Sequence, residues 1–247
     1  MIPMKKKLAY LTFDDAPTED FRRIIDFLAT QNIKSLIFCL GNQLEKYPSH
    51  AVYAIQHGHI LGNHSYDHPN FSTITLNEAR EQIERTDTHL ETIYSQAGIV
   101  RPMKVFRFPF LNNGSQDTYG ECRWDHPHVQ GIQQVLKEFG YRQPAFEQIQ
   151  YPWFRRAGFD VCLNVDCSYD TFDWCLQDGQ EMFGYHDLPT VLARMDEDVP
   201  EGGRGLNSFE SNEIILMHVW IPHHALTALI QKLSEKPIAF IIPLQSM

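Results

Sequence analysis

The chain has 247 residues, of which 43% are hydrophobic and 21% are charged, and it carries a formal net charge of −10. This composition is typical of a globular protein and excludes a disordered or fibrous chain. The acidic balance, with no basic run longer than residues 5–7, argues against binding to nucleic-acid phosphates. A chain of this length can bury a core without disulfides or a structural metal, so we expect a single domain over residues 1–247.

The cysteines and the N-terminus bear on the cellular compartment. The five cysteines are odd in number, form no C-x-x-C pair and lie mostly in apolar runs, which predicts free thiols. The apolar stretch at residues 8–13 is too short for the core of a signal peptide, and no apolar window is long enough to span a membrane. We therefore expect a cytoplasmic protein with no membrane span, or a secreted or periplasmic one if a leader has been removed.

Short apolar, β-branched or aromatic runs recur along the chain and alternate with amphipathic helical patterns. The first helical pattern spaces its apolar residues from Phe21 to Leu28 on one face, and Thr75 with Glu78 forms a capping box for a helix running towards Gly98. This alternation predicts an α/β fold with a parallel sheet, closed or nearly closed into a barrel. The predicted strands are residues 7–13, 34–40, 59–62, 104–108, 160–166, 213–219 and 237–242.

Residues that can bind a metal or transfer protons follow or end five of these predicted strands. In a parallel barrel the C-terminal ends of all strands lie on one face, so residues distant in sequence meet there. Trp174 lies at the same end and predicts an apolar wall for a sugar ring or an acyl methyl group. The polar candidates are Asp14, Asp15, His64, His68, Arg107, Asp170, Asp173 and His218.

His64 and His68 have the i, i+4 spacing that places two imidazoles on one face of a helical turn. With 12 histidines in the chain, roughly 0.6 such pairs are expected by chance, so the spacing alone is weak evidence for a metal. Asp15 adds an anionic oxygen and leaves coordination positions open for water, as a catalytic zinc requires. Together the three residues predict a catalytic metal site.

Four further residues are candidates for proton transfer or for its support. Asp14 is placed to act as a base on water, although a turn or helix cap is the alternative. His218 is a candidate general acid oriented by Asp173, with a hydrogen-bonded core histidine as the alternative. Arg107 needs a carboxylate partner, either Asp14 or Asp170, and a purely structural ion pair is its alternative.

These residues fall in motifs that resemble those of the polysaccharide deacetylase family, the NodB homology domain, which includes chitin deacetylases, peptidoglycan deacetylases and acetylxylan esterases. The resemblance covers most of the chain, and the motifs occur in the family's order. They are residues 12–17, 58–69, 107–110, 170–174 and 215–218.

The resemblance implies a distorted (β/α)7 barrel and a metal-dependent hydrolase that removes acetyl groups from an N-acetylated or O-acetylated carbohydrate. It implies that Asp15, His64 and His68 bind one divalent ion, with zinc preferred and cobalt, nickel or manganese as alternatives. The expected partner is an acetylated carbohydrate substrate, and the sequence does not predict an oligomeric state.

The same resemblance implies a role for each remaining site residue. Asp14 would be the base and His218 the acid. Arg107 would hold Asp14, and Asp173 would tune His218. The backbone N–H of Phe110 would stabilise the oxyanion together with the metal. We group Trp174 and Asp170 with Phe110 as candidate residues of the substrate and oxyanion site.

The chain departs from the family pattern in two motifs and in the length of the segment between the third and fourth motifs. Ala16 stands where the family usually has glycine, and the third motif lacks the glycine that commonly follows it. The stretch near 111–151 is a long insertion, which we expect to lie over the active face, and the sequence does not predict whether it closes the groove there. An unusual substrate would follow from such a cover.

Other functions remain open at the level of sequence. One is hydrolysis of another non-peptide C–N amide bond, and another is a non-catalytic carbohydrate-binding relative. A facial site of two histidines and one carboxylate also suits Fe(II) in an oxygenase, but that chemistry calls for neither Asp14 nor His218.

Overall fold

The structure, a computed structural model, describes residues 6–115, 124–199 and 205–243. Its strands are Lys7–Ala16 (β1), Leu36–Cys39 (β2), Ile60–Asn63 (β3), Tyr169–Asp170 (β4), Glu213–His218 (β5) and Ile238–Phe240 (β6). Its helices are Phe21–Thr30 (α1), Gly41–Lys46 (α2), Pro48–Gln56 (α3), Leu76–Ala97 (α4), Pro127–Glu138 (α5), Pro152–Arg156 (α6), Leu188–Arg194 (α7) and His223–Glu235 (α8).

The strands form one parallel sheet in the order β3-β2-β1-β5-β4, and β6 pairs with the beginning of β1. The central strand β1 is buried along its length, with only Leu8 and Asp15 partly exposed. Burial on both faces explains why β1 and β5 read as nearly continuous apolar runs rather than as alternating patterns. The parallel arrangement directs all strand ends that carry candidate site residues to one face.

Backbone hydrogen bonds close the sheet through residues 104–108, a predicted strand that is barely formed, and through residues 165–168. Residues 104–108 contribute a single bridge, in which Phe106 pairs with Asn63 at the end of β3. The N–H of Val165 then donates to the carbonyl of Phe106 at 2.7 Å, and the N–H of Ser168 donates to the carbonyl of Ile214 in β5 at 2.9 Å. The barrel is therefore closed but distorted on this side, which confirms the predicted fold class.

The strand predicted at residues 160–166 is wrong, because these residues form turns and the short strand β4 follows them. Gly158 has a φ of 75°, a left-handed conformation that glycine adopts without strain and that ends α6 in a turn. Phe159 and Cys162 are buried in an apolar cluster, whereas Val161 is 64% exposed. These apolar residues reach the core although they lie in a turn. An apolar composition therefore does not by itself require an extended strand.

Helix α4 begins and ends as the sequence predicts. The N–H of Glu78 donates to the hydroxyl of Thr75 at 3.3 Å, and the carboxylate of Glu78 accepts from the N–H of Thr75 at 2.7 Å. The helix ends at Gly98, whose φ is 69°. The long helix fixed by these caps packs against β3 and supports the loop that follows that strand.

The segment expected to cover the active face lies elsewhere for most of its described length. Helix α5 packs its apolar side against α4 and against the residues around Phe106, so it is one of the helices that cover the barrel. The N–H of Glu147 donates to the hydroxyl of Tyr10, and the carbonyl of Glu147 accepts from Asn212, which precedes β5. Residues 144–151 therefore lie towards the N-terminal ends of the strands, and that part of the prediction is wrong.

Two simpler expectations concern thiols and membranes. The cysteines at 39, 167 and 175 are buried free thiols, as the sequence predicts. Cys162 is also buried, and Cys122 lies outside the described residues. Within the described ranges, no helix combines the length and the apolar character that a bilayer crossing requires.

Candidate active site and metal centre

The C-terminal ends of β1, β3 and β5 bring the main candidates to one cavity of about 340 Å³. In the register of β1 and β5, Asp14 lies directly beside His218. A bulge shifts the register of β1 and β2 between Phe13 and Ala16, and Asp15 within it has a φ of 67°. A bulge redirects side chains at the end of a strand, which explains how two adjacent aspartates both reach the cavity.

The three predicted metal ligands converge. The candidate ligand atoms of Asp15, His64 and His68 all lie within 4.8 Å of one another. Asp15 Oδ1 is 3.6 Å from His64 Nε2 and 3.4 Å from His68 Nε2. This oxygen is buried without a hydrogen-bond partner in the described part of the chain, which is costly unless a cation or water satisfies it. One carboxylate and two imidazoles therefore fit a divalent ion of the catalytic zinc type.

The environment of His64 holds the ring in the form that binds metal. Its Nδ1 lies 2.8 Å from the carbonyl of Arg107, so Nδ1 carries the proton and Nε2 presents its lone pair to the cavity. Burial lowers the pKa of His64 to about 3, and the imidazole is therefore neutral at ordinary pH. A neutral imidazole is the protonation state that a metal ligand needs.

The loop that carries both histidines has a strained backbone held by several hydrogen bonds. Ser65 and His68 have φ values of 70° and 65°, which residues other than glycine rarely adopt. The N–H of Ser65 donates to Asn63 Oδ1 at 2.8 Å, and the N–H of His68 donates to Ser65 Oγ at 3.2 Å. From α4, Gln82 Oε1 accepts from two further N–H groups of the loop at 2.8 and 3.1 Å. The surrounding bonds thus fix the loop in this conformation.

Arg107 is fully buried and is paired with Asp14, so Asp14 and not Asp170 is its carboxylate partner. Its Nη1 donates to Asp14 Oδ1 at 2.9 Å and to Thr12 Oγ1 at 2.7 Å. The second oxygen, Asp14 Oδ2, lies 3.7 Å from His64 Nε2. The arginine therefore holds one oxygen of Asp14 and leaves the other beside the candidate metal ligands.

His218 and Asp173 form a second pair. His218 Nδ1 lies 2.8 Å from Asp173 Oδ1, and the backbone N–H of His218 donates to Asp173 Oδ2 at 2.7 Å. Burial lowers the pKa of His218, but the charge of Asp173 and its hydrogen bond outweigh burial and raise the pKa to about 10. The imidazole is therefore charged at neutral pH and has a proton to give.

We expect the His218 pair to stabilise the metal-free protein in a pH-dependent way. The pKa is about 10 when folded and about 6.5 when unfolded, so the stabilisation is complete below pH 6.5 and is lost as the pH rises to about 10. Urea unfolding of chelated protein should show the free-energy difference between wild type and His218→Gln shrinking across this window. A difference that stays constant with pH would contradict the assignment of the charged pair.

The remaining predicted residues line the same cavity. Burial raises the pKa of Asp170 to about 6, and this carboxylate accepts from Trp174 Nε1 at 3.4 Å. The ring of Phe110 lies 4.5 Å from that of His68, and Phe110 has a left-handed φ of 56°. Its side chain is 57% exposed at the rim of the cavity. The role of its N–H towards an oxyanion stays a prediction.

Sequence reasoning missed several residues of the site. Trp220 lines the cavity and donates from Nε1 to Asp15 Oδ2 at 2.7 Å. It follows His218 by two residues, and the alternation of side chains along an extended chain was a signal that could have found it. The other missed cavity residues are Leu111, Gln177, Gln180 and Leu216.

Comparison with known proteins gives a sequence match to one family. The polysaccharide deacetylase family matches residues 2–121. A peptidoglycan-N-acetylglucosamine deacetylase of Bacillus cereus is 37% identical over 102 residues, which are 40% of this chain and 37% of that protein. The aligned region is thus well under half of either chain. Residues 2–121, which match the family, contain Asp14, Asp15, His64 and His68.

Solved structures extend the likeness of fold beyond the sequence match. A family 4 carbohydrate esterase from Streptomyces lividans, in complex with acetate, has a TM-score of 0.62 at 19% identity and covers 96% of this chain and 92% of its own. A family 4 pseudoenzyme from Bacillus anthracis has a TM-score of 0.60 at 21% identity, covering 96% of this chain and 64% of its own. The sequence match and the shared barrel together confirm that this chain resembles the polysaccharide deacetylase family.

Proposed function

We propose that this protein is a metal-dependent hydrolase that removes acetyl groups from an N-acetylated carbohydrate. One observation carries the proposal: the candidate metal ligands, a carboxylate beside them and a charged imidazole surround a single cavity. The Bacillus cereus relative is named for deacetylation of N-acetylglucosamine in peptidoglycan, and this supports an N-acetylglucosamine polymer or oligomer as the substrate class.

Asp15, His64 and His68 are the residues that would hold the ion, and their donor set suits zinc, with cobalt, nickel or manganese as alternatives. Such an ion supplies Lewis-acid charge for the substrate carbonyl and lowers the pKa of a water towards neutrality. The orphaned oxygen of Asp15 and the neutral ring of His64 favour this assignment over a structural role.

In our proposal Asp14 takes a proton from the attacking water. A general base needs an oxygen directed at the water and a fixed orientation. The guanidinium of Arg107, which also donates to Thr12, binds Asp14 Oδ1 and so fixes the carboxylate, while Oδ2 faces His64.

We assign His218 as the acid that protonates the departing nitrogen. Asp173 orients the ring through Nδ1 and stabilises its charged form, so the other nitrogen carries a transferable proton. We assign Trp174 as an apolar wall for the substrate and the N–H of Phe110 as a donor to the oxyanion, because both residues line the cavity.

Acetate release tests the proposal. We expect purified protein to release acetate from N-acetylglucosamine oligomers, to lose this activity on chelation and to regain it with zinc or cobalt. Acetylxylan and a small aryl acetate serve as O-acetyl comparisons. Binding of the oligomers without acetate release under any metal would contradict the enzyme and favour a carbohydrate-binding relative.

A further inference from the structure

The two oxygens of Asp15 have different surroundings. Oδ1 faces His64 and His68 at 3.6 and 3.4 Å and is buried without a hydrogen-bond partner in the described residues. Oδ2 accepts a hydrogen bond from the indole N–H of Trp220 at 2.7 Å. One carboxylate oxygen, Oδ1, is therefore available on the histidine side, and the other, Oδ2, is hydrogen-bonded to the indole.

The fold holds this indole in place. Trp220 lies two residues after the end of β5, and the intervening N–H of Val219 donates to the carbonyl of Asp14 at 3.2 Å, so the end of β5 stays attached to β1. The indole ring also lies 5.2 Å from the ring of His218 and is half-buried. Its N–H is therefore directed at Asp15 from a tethered position.

The backbone of Asp15 makes such support useful. Its φ of 67° is left-handed, a conformation that costs free energy for a residue other than glycine. It also lies in a bulge between two register positions of β1 and β2, where β-ladder bonds are interrupted. A side-chain hydrogen bond compensates for this irregular backbone by fixing where the carboxylate points.

We propose that Trp220 is a positioning residue that holds Asp15 as a one-oxygen ligand for the divalent ion. This inference rests on the proposed function, since it requires the ion to bind at Asp15, His64 and His68. Partners that orient a metal ligand in this way typically change metal affinity by about 10- to 100-fold when removed. Trp220 lies outside the residues that match the family, so the sequence match does not assign it this role.

Trp174 provides a matched control. It is also half-buried and lines the same cavity, but its indole N–H donates at 3.4 Å to Asp170, which is not one of the candidate ligands. Trp220→Phe and Trp174→Phe each replace one indole of the cavity wall with a smaller ring. Only the first removes a hydrogen bond from a candidate metal ligand.

The experiment measures the affinity of the metal-free 247-residue chain for zinc and for cobalt by competition with a chromophoric chelator. We expect Trp220→Phe to raise the dissociation constant by about 10- to 100-fold and Trp174→Phe to leave it within about threefold of wild type. We also expect the visible cobalt spectrum to change in Trp220→Phe alone, because a released Oδ2 alters the ligand set.

A second substitution separates the hydrogen bond from packing. Benzothienylalanine placed at position 220 keeps the outline of the ring and replaces the N–H with sulfur, and we expect it to weaken metal binding as Trp220→Phe does. Unchanged affinity and spectrum in both position-220 proteins would overturn the inference, as would equal weakening by Trp174→Phe. If the wild-type protein binds neither ion, the metal centre of the proposed function is wrong, and this inference is wrong with it.

Discussion

Asp14→Asn is expected to lower kcat/KM for acetate release by about 10²- to 10⁴-fold, because an amide cannot accept the proton of the attacking water. Asparagine preserves the shape of the side chain. Its carbonyl oxygen can still accept a hydrogen bond from Arg107, which in the wild-type protein donates to Asp14 Oδ1 at 2.9 Å. The measurement is the initial rate of acetate release from N-acetylglucosamine oligomers by zinc-loaded protein.

Two controls accompany Asp14→Asn. Zinc affinity should stay near that of wild type, because the candidate ligands are Asp15, His64 and His68. Asp160→Asn makes the same change at an exposed site away from the cavity and should leave the rate unchanged. Retention of more than about a tenth of the wild-type rate by Asp14→Asn, with zinc bound, would refute its role as the base.

His218→Gln is expected to affect amide substrates more than ester substrates. An amine leaving group needs a proton as the C–N bond breaks, whereas a phenolate leaves without one. We therefore expect a loss of about 10²- to 10⁴-fold on N-acetylglucosamine oligomers and a loss at least about tenfold smaller on an aryl acetate. Glutamine can still donate a hydrogen bond to Asp173, so the buried carboxylate keeps a partner.

The role of His218 is tested by the ratio of the rate loss on the amide substrate to the rate loss on the ester substrate. Both substrates are assayed with the same zinc-loaded preparation, so misfolding or incomplete loading affects the two rates alike. Equal losses on amide and ester would contradict the assignment of His218 as the leaving-group acid and would point instead to a role in binding or in stabilising charge.

The polar residues of the candidate site are the part that sequence predicts best. Asp14, His64 and His218 are polar residues at the ends of buried strands, where a parallel barrel collects its chemistry. Strand ends in a parallel barrel share one face whatever the loops do. Predicting that these residues lie together therefore requires only that the strands and their direction are recognised.

Local sequence patterns do not predict the irregular side of the barrel. Residues 160–166 have the apolar composition of a strand, but packing around Phe159 and a left-handed Gly158 makes them turns. Similarly, the length of residues 111–151 suggested a cover for the groove, whereas α5 within it packs on the outside of the barrel. Tertiary packing decided both outcomes, and local patterns do not record it.

Trp220 and Gln82 show a second limit of sequence reasoning. Neither residue is chemically reactive, so neither was a candidate, yet one binds Asp15 and the other accepts two hydrogen bonds from the histidine loop. Their roles follow from directed hydrogen bonds across elements distant in the chain. Only coordinates identify such supporting residues.

Titrating chelated protein with zinc, while following acetate release from N-acetylglucosamine oligomers, shows whether one metal ion at Asp15, His64 and His68 supports deacetylation. We expect activity to rise linearly and to saturate at one zinc per chain, and we expect His68→Ala to show no such rise at the same zinc concentrations. Full activity in the chelated protein, or the same saturation in His68→Ala, would contradict this expectation.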